Sequence, residues 1–397
     1  MAPQKAGLNI LYYIPGIGQE MGGLRQYAVA LLKILANDTA NNYHVLHDRN
    51  DPEIMDVIKE HSRLTLLNSP KKKRLSKYTD RVSNAYTRVT GRAAATGFLD
   101  DICKKHKIDI IHCPYQFLAE SRYSRSICTM HDVQELHFPE YFTPEDRADR
   151  AVAYLKYIKN ADKIIVSYQH IKADIIRYFN IGVDRIAVCL LDMGNLWIDK
   201  FSSADIISLT HLHIPEKFIL YPANTWVHKN HLKLLEALAL IKAQGHTDLK
   251  VVCTGHKTSY FDSILKSYID KEGLSGQVIF TGVVNEQELY STYKTCAGVV
   301  VPTLYEAGSF PLVESILLDV PVICSNVTSL PETIDNDAFV FNPTDVQELS
   351  SMLLRLWSDE TFRGMSIANC KKQAPKLRKT GALNIIKGVY NELKTAN

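Results

Sequence analysis

The amino-acid sequence predicts an α/β protein built from two doubly wound parallel sheets. Three observations carry this. Short apolar runs alternate with longer segments of helical period along the 397-residue chain, the pattern of parallel strands joined by crossover helices. The runs fall into two series of about six, each enough for one open sheet. The series part near residues 200–216, where the periodicity fades and Pro215 precedes a new apolar run.

In the first series, strands are expected at residues 9–14, 43–46, 108–112, 127–130, 163–167 and 185–190. In the second they are expected at 218–221, 250–254, 277–280, 298–301, 321–325 and 339–341. Helical periodicity marks 26–36, 147–160, 231–243, 259–271, 286–295 and 346–356 between them. The expected division is an N-terminal domain over 1–205 and a C-terminal domain over 206–380. A last helical stretch, 381–397, is free to pack back on the first domain.

Composition narrows the function classes. Hydrophobic residues make up 46% and charged residues 22%, ordinary for a soluble globular chain with core enough for two or three domains. A net charge of +3 is too small to argue for nucleic acid. The eight cysteines contain no CxxC pair, so reduced, buried thiols are expected rather than disulfides or a Cys-based metal site. The start reads directly into a strand, and no apolar run reaches the ~18 residues of a spanning helix. A cytoplasmic protein is therefore expected. Residues 71–92 are rich in Lys and Arg, with Asp80 the one acid and Tyr78, Val82, Ala85, Tyr86 and Val89 at helical spacing. This reads either as a surface for an anionic membrane or a lipid diphosphate, which would make the protein peripheral at an inner membrane face, or as a solvated helix.

Chemistry concentrates in the loops after the expected strands, where open α/β sheets bind ligands. After the run 297–301 comes Pro302-Thr-Leu-Tyr-Glu306-Ala-Gly308-Ser309-Phe310-Pro311-Leu-Val-Glu314. Glu306 falls on the loop. Pro311 reads as the first turn of a helix that carries Glu314. The amides of Gly308, Ser309 and Phe310 would then lie at a helix N-terminus, which suits a diphosphate. Acidic residues complementing a helix dipole are the bland alternative. After the run 218–221 comes Pro222-Ala223-Asn224-Thr-Trp-Val-His228-Lys229-Asn-His, with the Lys229 ammonium just ahead of a helix, fit for a pyrophosphate leaving group. After the first strand, Gly22 and Gly23 open a helix where phosphate or sugar oxygens can approach the backbone. A dinucleotide fingerprint would need a third glycine at position 21, which is Met21. His131 and Asp132 end the fourth expected strand. They read as a structural pair or, with His137, as metal ligands.

Taken together, Gly22-Gly-Leu-Arg, His131-Asp-Val-Gln-Glu-Leu-His-Phe-Pro, the Lys229 string, the pair Val251-Val-Cys-Thr-Gly and Val278-Ile-Phe-Thr-Gly, and the Glu306–Glu314 segment followed by Ser325-Asn-Val-Thr-Ser-Leu-Pro-Glu resemble family 4 glycosyltransferases. The resemblance is closest over 218–343, extends to 22–27 and 131–142, and fades over 37–107. It implies a GT-B fold, two Rossmann-like domains facing each other across a cleft. It also implies retaining transfer of a sugar from a nucleotide-sugar donor to a saccharide or lipid-linked acceptor in polysaccharide synthesis, with no metal or other cofactor. Glu306, His131 and Lys229 are then the catalytic candidates. His131 contacts the transferred sugar, Glu306 holds its hydroxyls, and Glu314 holds the ribose. Gly22, Gly23, Asn224, His228, Lys229, Val284, Gly308, Ser309 and Phe310 complete the donor site, with Val283 and Val284 near the nucleobase.

Two departures from the family pattern stand out. The Arg that pairs with the clamp Lys is missing: Ala223 or Asn224 occupies its position, and His228 or Asn224 is the candidate substitute. The usual Gly-Phe-Gly reads Ala307-Gly308-Ser309, which keeps the residues small. A degenerate member that binds nucleotide sugar or a partner enzyme without transfer is the alternative. The resemblance leaves mannose, rhamnose, glucose and N-acetylglucosamine donors open.

Overall fold

A computed structural model of the chain describes residues 7–16, 22–47, 51–67, 97–194 and 196–395. The basic stretch 71–92 lies outside them. The chain divides into two compact units, Met1–Asp192 with Gly381–Asn397, and Met193–Thr380.

The first unit is built on seven strands: β1 (Asn9–Ile14), β2 (Asn42–His47), β3 (Leu64–Leu67), β4 (Ile110–Cys113), β5 (Arg125–Thr129), β6 (Lys163–Val166) and β7 (Ile186–Val188). They lie in the order β3-β2-β1-β4-β5-β6-β7, with parallel pairing throughout. Alternate residues of β1 explain its unbroken apolar run. Ile10, Tyr12 and Ile14 enter a core with Ala28, Leu31, Leu32 and Leu35 of the helix Gly22–Ala36. Leu11, between them, enters a second cluster with Leu99, Cys103 and Ile111. A strand buried on both faces cannot alternate apolar and polar, and each Leu or Ile removed from water stabilises the fold by about 1.5–3 kcal/mol.

The helix Ala382–Thr395 joins this first core through Ala382, Ile386, Val389, Tyr390 and Leu393. Polar contacts fix its register. The Tyr390 hydroxyl meets His112 Nδ1 at 2.7 Å, and Lys387 pairs with the buried Asp38 at 3.1 Å.

The second unit holds β8 (Ile219–Pro222), β9 (Val251–Thr254), β10 (Val278–Gly282), β11 (Gly298–Val301), β12 (Val322–Ser325) and β13 (Val340–Phe341). Their order is β10-β9-β8-β11-β12-β13, again parallel throughout. Strand order reverses between β8 and β11. That is the switch point at which a doubly wound sheet opens a crevice, and the loops after these two strands carry Lys229 and Glu306.

Three features differ from the expected layout. β3 joins the first sheet as an edge strand that a four-residue Leu-Thr-Leu-Leu run does not announce. The helices Pro52–Glu60, Gly97–His106, Gln169–Phe179 and Glu360–Arg378 are among those not expected, although Asp51 caps the first through the amides of Glu53 and Ile54 and Pro52 opens it. The boundary between the units falls at 192/193 rather than 205/206. Residues 196–201 are tied into the second unit by Lys200 on Glu286 at 2.9 Å, Asp199 on Arg378 at 2.8 Å and the stacking of Phe201 on Tyr290. Among the described residues no helix is long and apolar enough to cross a membrane.

Candidate functional site

In the second unit, a crevice of 380 Å³ at the switch point is lined by Asn224, Lys229, Gly255, Val283, Val284, Glu306, Gly308, Phe310 and their neighbours. This is within the size range of small-molecule sites. Lys229 ends a short turn, Val227–Lys229, between β8 and the helix His231–Ala243. Asn230, next in line, takes the left-handed conformation, and its buried amide donates to the carbonyls of Pro302 and Pro343 at 2.8 and 2.9 Å. The Tyr221 hydroxyl donates to the Lys229 carbonyl at 2.7 Å. The turn is thus held from behind, and the Lys229 side chain points into the crevice.

Asn224 is set by the loop after β9. Its Oδ1 accepts the His256 N–H at 2.7 Å, and among the described residues its Nδ2 has no acceptor. Thr258 ties the same two loops, its N–H donating to Thr225 Oγ1 at 2.8 Å and its hydroxyl to the Thr225 carbonyl at 2.6 Å. The approach is so close that Gly255, at φ +117°, has no room for a side chain. A Cβ there would lie 2.8–2.9 Å from the backbone of Ala223 and Asn224.

Glu306 follows β11. Its N–H donates to Thr328 Oγ1 and its carbonyl accepts from Ser329 Oγ, both at 3.2 Å. Its carboxylate grips Lys229 Nζ with both oxygens, at 2.5 and 2.7 Å. The helix Phe310–Leu317 then begins with no side-chain cap: Ser309 occupies the cap position, and its buried hydroxyl has no hydrogen-bond partner among the described residues. The first amides of that helix are therefore open to an anion.

Glu314 is buried on the far side of the helix start and does not line the crevice. Its oxygens accept from the Trp197 indole at 2.6 Å and the Tyr293 hydroxyl at 2.7 Å. Burial raises its pKa above the usual carboxylate value, and these two donors pull the other way. His228 also stands outside the crevice lining. Burial and the neighbouring Lys229 push its pKa down to about 4, so it is neutral at pH 7. Of the two candidate replacements for the missing Arg, the crevice therefore presents Asn224.

The remaining predicted residues belong to the first unit. Gly22 and Gly23 begin the helix Gly22–Ala36, and Tyr27 on that helix meets the His131 ring edge-on at 4.6 Å. His131 Nε2 lies 3.2 Å from the Pro114 carbonyl. With Nε2 as donor, Nδ1 is left as an acceptor. Burial pushes the His131 pKa down to about 4. Asp132 faces Arg150 at 3.3 Å, and His137 pairs with Asp174 at 2.7 Å. Among the described residues no group of three or more metal-ligating side chains is gathered.

The structure thus gathers Asn224, Lys229, Val284, Glu306, Gly308 and Phe310 around one crevice. It leaves His228, Ser309 and Glu314 just outside the lining. Trp197 and Tyr293 were missed. A lone Trp in an irregular stretch and a Tyr at helical spacing carry no sequence signal for contact with a carboxylate far along the chain.

Residues 211–376 match the family described as glycosyl transferases group 1. The chain carries a group 1 glycosyl transferase domain. That domain contains the entire crevice, from Pro222 to Pro311.

The chain is 27% identical over 218 residues to the O-antigen chain mannosyltransferase B of Escherichia coli, covering 55% of this chain and 57% of that one. It is 29% identical over 226 residues to the serotype-specific mannosyltransferase WbdA of Escherichia coli, covering 56% of this chain and 28% of that one. The match therefore spans about half of the first relative's length and about a quarter of the second's. The crystal structure of Anabaena Alr3699/HepE in complex with UDP superposes with a TM-score of 0.68 at 16% identity, covering 98% of this chain and 100% of that one. Likeness at that identity shows the fold. The family 4 resemblance and the two parallel-sheet α/β domains expected from the sequence are both borne out.

Proposed function

We propose that the protein transfers a sugar, with retention at the anomeric carbon, from a nucleotide-sugar donor to a saccharide or lipid-linked saccharide acceptor in polysaccharide synthesis. The observation that carries this is the convergence of Lys229, Glu306 and an uncapped helix N-terminus on one crevice inside the group 1 domain. Both relatives above are mannosyltransferases by name, which puts a mannose donor first and O-antigen-like glycans first among acceptors.

In this reading the diphosphate lies against Lys229, the Asn224 amide and the backbone amides of Gly308 to Phe310. Glu306 accepts from hydroxyls of the sugar. Glu314, held by Trp197 and Tyr293 outside the crevice lining, supports the helix start from behind. As the bond from the anomeric carbon to the diphosphate breaks, negative charge grows on the leaving oxygen, and preorganised donors there lower the barrier. The acceptor hydroxyl bonds to the same carbon, and its proton passes to the departing phosphate oxygen. Atoms and charge then balance without a protein base.

The test is release of nucleoside diphosphate from GDP-mannose and from common UDP-, dTDP- and ADP-sugars, with a glycan acceptor panel and NMR of the product's anomeric configuration. Turnover that falls by about 10²-fold or more in Lys229→Ala, as loss of an oxyanion-type contact does, is the expected result. Binding of a nucleotide sugar with no turnover would favour the non-catalytic reading, which the missing Arg supports. An inverted product would refute retention.

A further inference from the structure

We infer that Glu306 also sets the preference of the site for nucleotide sugar over free nucleoside diphosphate, by competing with the diphosphate for Lys229. This rests on the donor-site reading above. Lys229 is the one cationic side chain among the residues lining the crevice, so any diphosphate bound there must draw on it. In the structure it is already engaged. Both Glu306 oxygens lie on Nζ, at 2.5 and 2.7 Å, and the two side chains are 7% and 19% exposed. Among the described residues Lys229 is the only side chain that hydrogen-bonds to the Glu306 carboxylate. Neither backbone is free to retreat, because Thr328 and Ser329 hold Glu306 while Tyr221 holds Lys229.

The consequence follows from charge and burial. A nucleoside diphosphate alone must pull Nζ off the carboxylate. This leaves a buried anion without its partner, beside a second anion, which is the costly way to break an ion pair. A nucleotide sugar meets the same carboxylate with hydroxyl donors attached to the diphosphate, so Glu306 exchanges one partner for another. Once the sugar has passed to the acceptor, those donors are gone. Glu306 then reclaims Lys229, and the product diphosphate loses its cation. One carboxylate thereby favours the donor and expels the product. A purely architectural ion pair would hold the two loops together without distinguishing the two ligands.

The experiment is calorimetric titration of the full chain with GDP and GDP-mannose, or whichever nucleotide and nucleotide sugar the turnover panel selects. It uses wild type, Glu306→Gln and Lys229→Gln, each checked for folding by circular dichroism. In Glu306→Gln the diphosphate should bind about tenfold more tightly or better, equivalent to 1.4 kcal/mol, while the nucleotide sugar binds no more tightly than to wild type. Lys229→Gln should weaken both ligands. An unchanged or weaker diphosphate affinity in Glu306→Gln, with Lys229→Gln weakened, overturns the competition but keeps the donor site. No binding of any nucleotide to wild type, or none of the binding lost in Lys229→Gln, overturns the donor-site reading itself. Should Glu306→Gln not fold, Glu306→Asp keeps the charge and draws it back from Nζ. The diphosphate should again bind more tightly than to wild type, and a Kd equal to or above wild type overturns the competition.

Discussion

Trp197→Phe tests whether Glu314 is held as an ionised acceptor by neutral donors. The substitution removes the indole N–H that lies 2.6 Å from Glu314 Oε1 and leaves the Tyr293 hydroxyl on the other oxygen. Glu314 is buried, and burial already raises its pKa. Losing a bond to an ionised group costs about 1.5–3 kcal/mol, against about 0.5–1.5 for a bond to a neutral one. The penalty should therefore depend on pH. A carboxyl whose folded pKa is raised contributes stability that is complete below the unfolded value of about 4.3 and is lost as pH climbs through the folded value. Removing the indole raises the folded value further, so the variant loses more ground at pH 8 than at pH 4.5. The smaller Phe ring also costs packing energy, but equally at both pH values, and this cancels in the difference. The pH-dependent part is then about 1–1.5 kcal/mol, or a melting-temperature difference of about 2–6 °C for a domain of this size. Residues 197, 226 and 357, the chain's three tryptophans, all lie in the second unit. Tryptophan fluorescence during thermal unfolding therefore reads that unit alone. A penalty that is the same at both pH values to within about 0.5 kcal/mol would refute the account of Glu314.

Other perturbations probe other parts of the argument. Gly255→Ala forces a Cβ against the Ala223–Asn224 backbone at φ +117°, and strain of this kind costs about 1–3 kcal/mol; denaturant melts should show it, and nucleotide affinity should fall with it because Asn224 moves. Asn224→Ala removes one neutral donor, so nucleotide-sugar affinity should weaken by about 0.5–1.5 kcal/mol in calorimetry, far less than for Lys229→Ala. Burial pushes His112 down to about 3 and His131 and His170 down to about 4. A depressed imidazole contributes stability that is full above its unfolded pKa of about 6.5 and is lost as pH falls through the folded value, so urea melts followed by circular dichroism should show the first unit weakening from about pH 6.5 towards pH 4. Tyr390→Phe leaves His112 Nδ1 without its 2.7 Å partner and should cost about 1–3 kcal/mol as a buried group left unsatisfied, read as faster hydrogen exchange in the helix Ala382–Thr395.

What the sequence discloses here tracks how local the determining physics is. Among the described residues, twelve of the thirteen strands announce themselves as apolar runs, because strands buried on both faces need continuous apolar sequence. β3 escapes notice because a four-residue edge strand needs little of that signal. Lys229, Glu306, Gly308 and Phe310 are legible because each sits in the loop or first turn after such a strand, a position fixed by chain order alone. Trp197 and Tyr293 are not legible, because their contact with Glu314 joins segments 117 and 21 residues apart and depends on how a stretch without periodicity folds over a helix. The boundary at 192/193 was misplaced for the same reason: residues 196–201 look like a linker in sequence and are anchored only by long-range contacts.

The seven residues between Glu306 and Phe310–Leu317's Glu314 do more than repeat a carboxylate on one face. They straddle the start of an uncapped helix, so the two groups meet opposite surroundings. Glu306 faces an ammonium, which balances its charge until a ligand takes that ammonium away. Glu314 faces an indole and a phenol, which satisfy its oxygens without balancing its charge, so burial still raises its pKa. A pair of like carboxylates lining one crevice would repel an incoming diphosphate at both ends. With Glu306 answered by Lys229 and Glu314 set behind the helix start, the crevice presents a nearly neutral wall with amides pointing into it. Its charge balance shifts only when Lys229 changes partner, and that gives a single side chain control over which ligand stays.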